Sequence, residues 1–341
     1  MPAPIPSPFS QQEVSPELID MFSRSITYLR VSITDQCNLR CQYCRPTANR
    51  KLARTGLLTY EELLRVITLA AGMGIRKVRL TGGEPLLRRD ITKFIQRLSV
   101  VPGLSDIRLT TNGVLLGEFA PELLAAGIRK INVSLDTLRP DRYRQITGLD
   151  GFHSVWAGIQ TAKSLGFSSI KLNTVVLKGI NDDEILDLAR LTFQEPFQVR
   201  FIEFMPMKDV CNWTQHYLSS LEIQGILKTM GALKPFEPSG LEGPARVFQF
   251  PGALGTIGLV SPISHRFCRL CNRLRLTAAG RLRSCLLSEE EYDLKNSIRS
   301  GATDMDIKKI ILTAILQKPE GHGLKAGEVK NCHGEMFRIG G

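Results

Sequence analysis

The chain has 341 residues, 43% hydrophobic and 23% charged, which excludes a wholly disordered, collagen-like or coiled-coil protein and leaves room for about two domains. Forty-four basic against 33 acidic residues give a net charge of +11, which favours anionic partners over neutral ones. No uncharged apolar run reaches the roughly 18 residues that a membrane span needs.

Residues 1–16 are rich in proline and serine, with no basic region and no apolar core. They read as a floppy tail, neither a secretory signal nor a transit peptide. Residues 28–33 carry β-branched and aromatic side chains and read as a first strand that runs into a cysteine loop. Thr59, Tyr60, Glu61 and Glu62 have the spacing of a capping box. Beyond it Leu63, Leu64, Ile67, Ala70 and Ala71 share one helical face, and Gly72 and Gly74 stop the helix. Further strands are expected at 77–80, 106–109, 130–135, 170–177 and 198–204, and helices at 90–98, 115–126, 152–165 and 183–192. Six strands in β-α-β order predict an α/β fold, a partial (β/α)6 barrel with parallel strands and right-handed crossovers. Functional residues of such barrels sit at the C-terminal strand ends, where Gly82, Gly83, Thr110, Asn112, Ser134, Asp136, Glu203 and Met205 fall. From about residue 241 the rhythm changes, and 247–250 with 253–260 read as a hairpin around Pro251 and Gly252. The expected division is a flexible tail (1–20), the barrel (21–240) and a smaller C-terminal extension (241–341) that closes on Gly340 and Gly341. No internal repeat is found.

Eight cysteines remain: Cys37, Cys41, Cys44, Cys211, Cys268, Cys271, Cys285 and Cys332. Without a secretory signal they are expected to be thiols in a reducing compartment, the cytoplasm. Cys211 and Cys332 stand alone and read as incidental. The other six form two triplets, which in such a chain point to metal or catalysis. Cys37-x3-Cys41-x2-Cys44 lacks a fourth zinc donor, since no histidine precedes His153. Three thiolates suit a 4Fe–4S cluster with one iron left open. One βα unit later comes Gly82-Gly83-Glu84-Pro85, where missing Cβ atoms let backbone approach a ligand. Met205 can be core filler or can pack against a ligand ring.

In Cys268-x2-Cys271-x13-Cys285 the intervening Arg273, Leu274, Arg275 and Leu276 alternate with a strand period. A turn at 277–280 would fold the chain back and set Cys285 beside Cys271, with Arg273 and Arg275 on one face. Two readings stay open: a zinc ribbon with His265 as fourth ligand, or a second 4Fe–4S cluster flanked by arginines suited to phosphate. No Gly-x4-Gly-Lys-Ser/Thr phosphate loop occurs, so a bound triphosphate would be held by side-chain charge.

Cys-x3-Cys-x-Tyr-Cys after a first strand, followed by Gly-Gly-Glu-Pro, resembles the radical S-adenosylmethionine (SAM) superfamily. Cys-x2-Cys-Asn-Arg-Leu-Arg, a later cysteine and a terminal Gly-Gly resemble the GTP 3′,8-cyclase family within it. The resemblance runs from about residue 28 to 285, plus 340–341; residues 206–217 and 320–336 carry no motif that extends it. It implies a lyase of molybdenum cofactor biosynthesis with SAM and two 4Fe–4S clusters, held by Cys37, Cys41 and Cys44 and by Cys268, Cys271 and Cys285. In that family a 5′-deoxyadenosyl radical takes hydrogen from the ribose C3′ of GTP, and this carbon then bonds to guanine C8. Implied SAM contacts are Tyr43, Gly83, Ser134 and Met205. Implied GTP contacts are Arg30, Arg79, Thr110, Lys171, Arg273, Leu274 and Arg275, with Arg273 and Arg275 also catalytic, and the tail Gly340-Gly341 is expected to reach the site. Implied partners are GTP, an electron donor such as flavodoxin or ferredoxin and a downstream cyclic pyranopterin monophosphate synthase. Nucleic acid and membrane are not expected, and a homodimer is left open. The rival readings are a peptide-modifying radical SAM enzyme, for which three C-terminal cysteines are few, and a basic nucleic-acid-binding zinc ribbon, which leaves the first triplet unexplained.

Overall fold

The structure, a computed structural model, describes residues 17–44, 54–205, 213–237, 243–323 and 336–339. Its strands are β1 (Tyr28–Ser32), β2 (Lys77–Thr81), β3 (Asp106–Thr111), β4 (Lys130–Ser134), β5 (Ser169–Val176), β6 (Gln198–Glu203), β7 (Lys234–Pro235), β8 (Arg246–Gln249), β9 (Thr256–Val260), β10 (Arg273–Leu276), β11 (Arg281–Arg283) and β12 (Tyr292–Asp293). The helices are α1 (Tyr60–Gly72), α2 (Ile91–Ser99), α3 (Leu116–Ala125), α4 (Pro140–Thr147), α5 (Phe152–Ser164), α6 (Ile185–Gln194), α7 (Ser220–Lys228), α8 (Leu294–Arg299), α9 (Asp304–Leu316) and α10 (Met336–Ile339). None of these helices is long and apolar enough to cross a membrane.

The six expected strands, β1 to β6, pair in sequence order and in parallel. The C-terminal segment does not build a sheet of its own. Strand β10 joins β1 in parallel and β9 joins β6 in parallel, so the hairpins β10–β11 and β8–β9 extend one twelve-stranded sheet at both sides. Local periodicity shows each hairpin but not its distant partner, which only tertiary packing selects.

Three of the helices, α1, α7 and α9, start at capping boxes, whereas α2 to α6 start without a side-chain cap. Thr59 Oγ1 accepts from the Glu62 amide at 3.1 Å, and the Glu62 carboxylate accepts from the Thr59 amide at 2.7 Å. Leu63, Val66, Ile67, Ala70 and Ala71 of α1 are buried, with Leu64 at the margin of the stripe. Ser219 and Thr303 cap α7 and α9 in the same way.

Alternation along the strands divides two environments. Leu29, Val31, Val78, Leu80, Leu109, Ile131, Val133, Leu172, Val199, Phe201, Leu274 and Leu276 belong to the apolar core. The alternate positions are charged: Arg79, Arg108, Lys171, Arg200 and Arg275 are only 1–6% exposed. Barrel interiors are usually filled by branched apolar side chains. Burying so many cations is costly unless anions meet them. The protein supplies Asp106, 2.7 Å from Arg108 and 3.7 Å from Lys77, far less negative charge than the cations around it.

Candidate active site

A first cavity opens at the C-terminal ends of the strands and is lined by Cys37, Cys41 and Cys44 together with Tyr43, Gly83, Thr110, Ser134 and Met205. The glycine pair works differently from the expectation that a ligand presses on it. A Cβ on Gly83 would stand 2.3 Å from Gln36 O, and one on Gly82 2.6 Å from Thr34 O. The close approach is therefore by the cysteine loop itself, held by Gly83 N–H to Thr34 O (2.8 Å) and Glu84 N–H to Gln36 O (2.7 Å). The Glu84 carboxylate, fully buried, accepts from the Thr111 hydroxyl and from the Asn112 and Leu86 amides. Asn112 in turn donates to Asn38 at 2.7 Å and to Cys37 Sγ at 3.7 Å. One buried carboxyl thus ties the second motif to the third strand and to the first cysteine, although burial raises its pKa to about 7. Tyr43 donates to Asp136 at 2.7 Å, whose other oxygen accepts from Val175 N–H.

The second cavity is lined by Cys268, Cys271 and Cys285 with Arg30, Arg273 and Arg275. The expected hairpin is present. Arg275 pairs with Arg283 and Leu276 with Leu282, and Gly280 makes the turn at φ +77°, which returns the chain toward Cys271. Three residues far away in sequence complete this end. Arg24 donates to Cys268 O (2.8 Å), Glu320 O (3.0 Å) and Pro319 O (2.7 Å) and pairs with Asp20. Lys318 donates to Arg273 O and Ser284 O, bracing both strands of the hairpin. His322 faces Pro262 O at 2.8 Å. Isolated single residues give no motif, so none of the three was legible beforehand. The cavities adjoin: Asn173, Ile202, Met205 and Met336 line both.

The remaining predicted residues distribute clearly. Arg79 reaches Thr110 Oγ1 at 3.3 Å. Lys171 is buried two residues before Asn173, on the same strand face, and neither it nor Arg79 lines either cavity. The side chain of Leu274 is 1% exposed in the apolar core and lines neither cavity, because alternation turns it away from Arg273 and Arg275. Only its backbone is left for a ligand. Cys211, Cys332, Gly340 and Gly341 lie outside the described residues.

The thiols fit clusters better than single ions. Among the described residues no three His, Cys, Asp or Glu side chains converge closely enough to hold one metal ion. Zinc needs donors within ~2.3 Å of one point, whereas a 4Fe–4S cube takes its cysteines on separate irons. His265, the fourth donor of the zinc reading, is exposed and lines neither cavity. Burial and the neighbouring Cys44, Asp136 and Cys37 push the Cys41 thiol well up, the condition of a crowded anionic ligand set lacking its cation. At the second triplet burial pushes Cys268 up, while Lys318, Arg273 and Arg275 outweigh burial and bring Cys271 down. Buried Thr81 Oγ1 and Asn173 Oδ1 have no hydrogen-bond partner among the described residues and belong to residues of the first cavity wall. They leave polar contacts for a ligand such as SAM.

The arginines crowd one another. Burial, Arg30 and Arg273 push the Arg275 pKa well down, and burial with Arg79 and Arg273 brings Arg30 to about 10. Below them Tyr28, 3% exposed, accepts from Arg79 Nε at 2.6 Å and has Lys77 Nζ 4.8 Å from its ring centre.

A parallel α/β sheet with a cysteine triplet after its first strand and a glycine pair after its second is the framework of a radical SAM protein. Residues 31–192 match the Radical SAM superfamily, and residues 197–324 match Molybdenum Cofactor Synthesis C. The chain belongs to the GTP 3′,8-cyclase family. It is 44% identical over 309 residues to the GTP 3′,8-cyclase of Moorella thermoacetica, covering 90% of this chain and 96% of that one. It is 47% identical to that of Heliobacterium modesticaldum (89% and 94% covered) and 42% identical to that of Geobacter sulfurreducens (95% and 100% covered). Among solved structures Streptococcus suis SuiB bound to its precursor peptide SuiA shares the fold, with a TM-score of 0.63 at 13% identity over 90% of this chain and 68% of SuiB.

Proposed function

We propose that this protein is a SAM-dependent lyase that converts GTP to (8S)-3′,8-cyclo-7,8-dihydroguanosine 5′-triphosphate, the first step of molybdenum cofactor biosynthesis. The observation that carries the reading is the pair of cysteine-lined cavities sharing the wall of Asn173, Ile202, Met205 and Met336. A radical made in one is in reach of a substrate held in the other. Cys37, Cys41 and Cys44 would hold one 4Fe–4S cluster, and Cys268, Cys271 and Cys285 a second. When bound, the first cluster and SAM supply the 5′-deoxyadenosyl radical, by one-electron cleavage of the sulfonium.

The chain's own residues bind, orient and exclude water. Tyr43, Gly83, Ser134 and Met205 form the wall for SAM. Arg30, Arg273 and Arg275 present to the triphosphate the planar guanidinium forks that match phosphate oxygens, and Arg79 and Lys171 add positive charge from behind the cavity wall. Held by charge at its triphosphate, GTP would have little freedom left, which favours attack of C3′ on C8 over escape. An external electron donor and an enzyme that consumes the cyclic product complete the scheme.

Product analysis tests the reading. GTP, SAM and reductant, incubated anaerobically with reconstituted enzyme, are expected to give methionine, 5′-deoxyadenosine and a chromatographically distinct isomer with the mass of GTP. SAM cleavage that never depends on GTP, with GTP recovered intact, would sink the assignment.

A further inference from the structure

We propose that Tyr28, which lies behind the arginines and lines neither cavity, is the resident counter-anion of the cluster that faces the triphosphate: its oxygen holds those arginines in place while no phosphate is bound, and it takes up a proton from solvent when phosphate replaces it. The inference rests on GTP being the nucleotide bound there.

Tyr28 sits on β1 in register with Lys77 of β2 and Arg273 of β10. Its oxygen accepts from Arg79 at 2.6 Å and hydrogen-bonds Arg30. The guanidinium carbons of Arg79 and Arg273 each lie 5.9 Å from its ring centre, and Lys77 Nζ lies at 4.8 Å. Strands β1, β2 and β10 carry no Asp or Glu at all. Asp106 of β3, the carboxylate that meets Lys77, is also engaged by Arg108. The phenol is thus the acidic group that these three strands offer their own cations. A buried tyrosine normally resists ionisation. Here Arg79, Arg30, Arg273 and Lys77 together outweigh burial and bring its pKa down to about 7.

A bound triphosphate competes for the same guanidiniums. A phenolate left beside phosphate in this low-dielectric interior would meet strong like-charge repulsion, and protonation removes it. The sign follows. Nucleotide raises the phenol's pKa, so the complex prefers the protonated form. This contribution to GTP affinity is full below about 7 and falls by up to about tenfold per pH unit above it. The groups facing Tyr28 are Arg30 on its own strand, Lys77 and Arg79 from β2 and Arg273 and Arg275 from β10. Of these Lys77 titrates nearby, held down to about 8 by burial and Arg108, so the test must separate the two.

Calorimetric titration of the reconstituted holoenzyme with GTP, at about pH 8 in two buffers of different ionisation enthalpy, counts protons taken up. The wild type and Lys77→Met are expected to take up a substantial fraction of a proton per GTP through Tyr28, and Tyr28→Phe is expected to lose it. In turnover, the GTP KM of the wild type rises with pH relative to Tyr28→Phe, while the SAM KM does not. Iron content reports whether Tyr28→Phe assembles. Where it does not, 3-fluorotyrosine at position 28 keeps ring and oxygen, and its more acidic phenol moves the pH inflection down. Equal uptake by wild type and Tyr28→Phe, uptake lost only in Lys77→Met, or an inflection that fluorination leaves in place overturns the proposal. Absence of any GTP binding by the wild type strikes the nucleotide assignment instead.

Discussion

Cys41→Ser is expected to abolish SAM cleavage, whereas Cys271→Ser should retain uncoupled cleavage and stop GTP cyclisation. The asymmetry follows from where the two thiols stand. Cys41 lines the cavity formed with Tyr43, Gly83 and Ser134, and Cys271 lines the one formed with Arg273 and Arg275. Loss of one thiolate from a three-thiolate site removes a quarter or more of the ligand set of a group that normally takes four. Quantifying 5′-deoxyadenosine and cyclised nucleotide in parallel checks this. Equal loss of cleavage in both variants would remove the division of labour between the triplets.

Arg275→Ala is expected to weaken GTP binding by about 1.5–3 kcal/mol, roughly ten- to a hundredfold, while SAM binding changes little. Arg275 is 6% exposed, and burial with Arg30 and Arg273 pushes its pKa well down. An anion that relieves this crowding gains more than it would from a solvated arginine. Arg273→Ala acts in the same direction. Arg273 is the less buried of the two and stacks 5.1 Å from the Phe267 ring centre, so part of its loss is packing. Guanosine, which lacks the triphosphate, is the control. If its affinity fell as far as that of GTP, the arginines would act on the fold and not on phosphate.

Much of this was legible in the sequence, for identifiable reasons. Strands β1 to β6 alternate apolar with polar or charged residues, and the Thr59 box states where α1 begins. The triplets announce themselves because ligand spacing is local. What was not legible is non-local. The pairing of β10 with β1 puts Arg273 and Arg275 beside Arg30, and nothing near residue 273 specifies that partner. Helix α4 begins at Pro140 with a polar surface and reads as loop, whereas α7 and α9 carry capping boxes at Ser219 and Thr303. Arg24, Lys318 and His322 converge on the second triplet from both ends of the chain as single residues. Gly83 was recognised as a place of close approach, but the approaching group, the Gln36 carbonyl, required coordinates. Strand alternation turns the Leu274 side chain into the core, away from Arg273 and Arg275.

The most direct test of the central claim, that a radical made at the first triplet acts on GTP held at the second, is isotope transfer. GTP deuterated at ribose C3′ is incubated anaerobically with reconstituted enzyme, SAM and reductant, and the 5′-deoxyadenosine formed is analysed by mass. The account predicts deuterium in that product, in step with formation of the cyclised isomer. Unlabelled 5′-deoxyadenosine accompanying the cyclised product would contradict it.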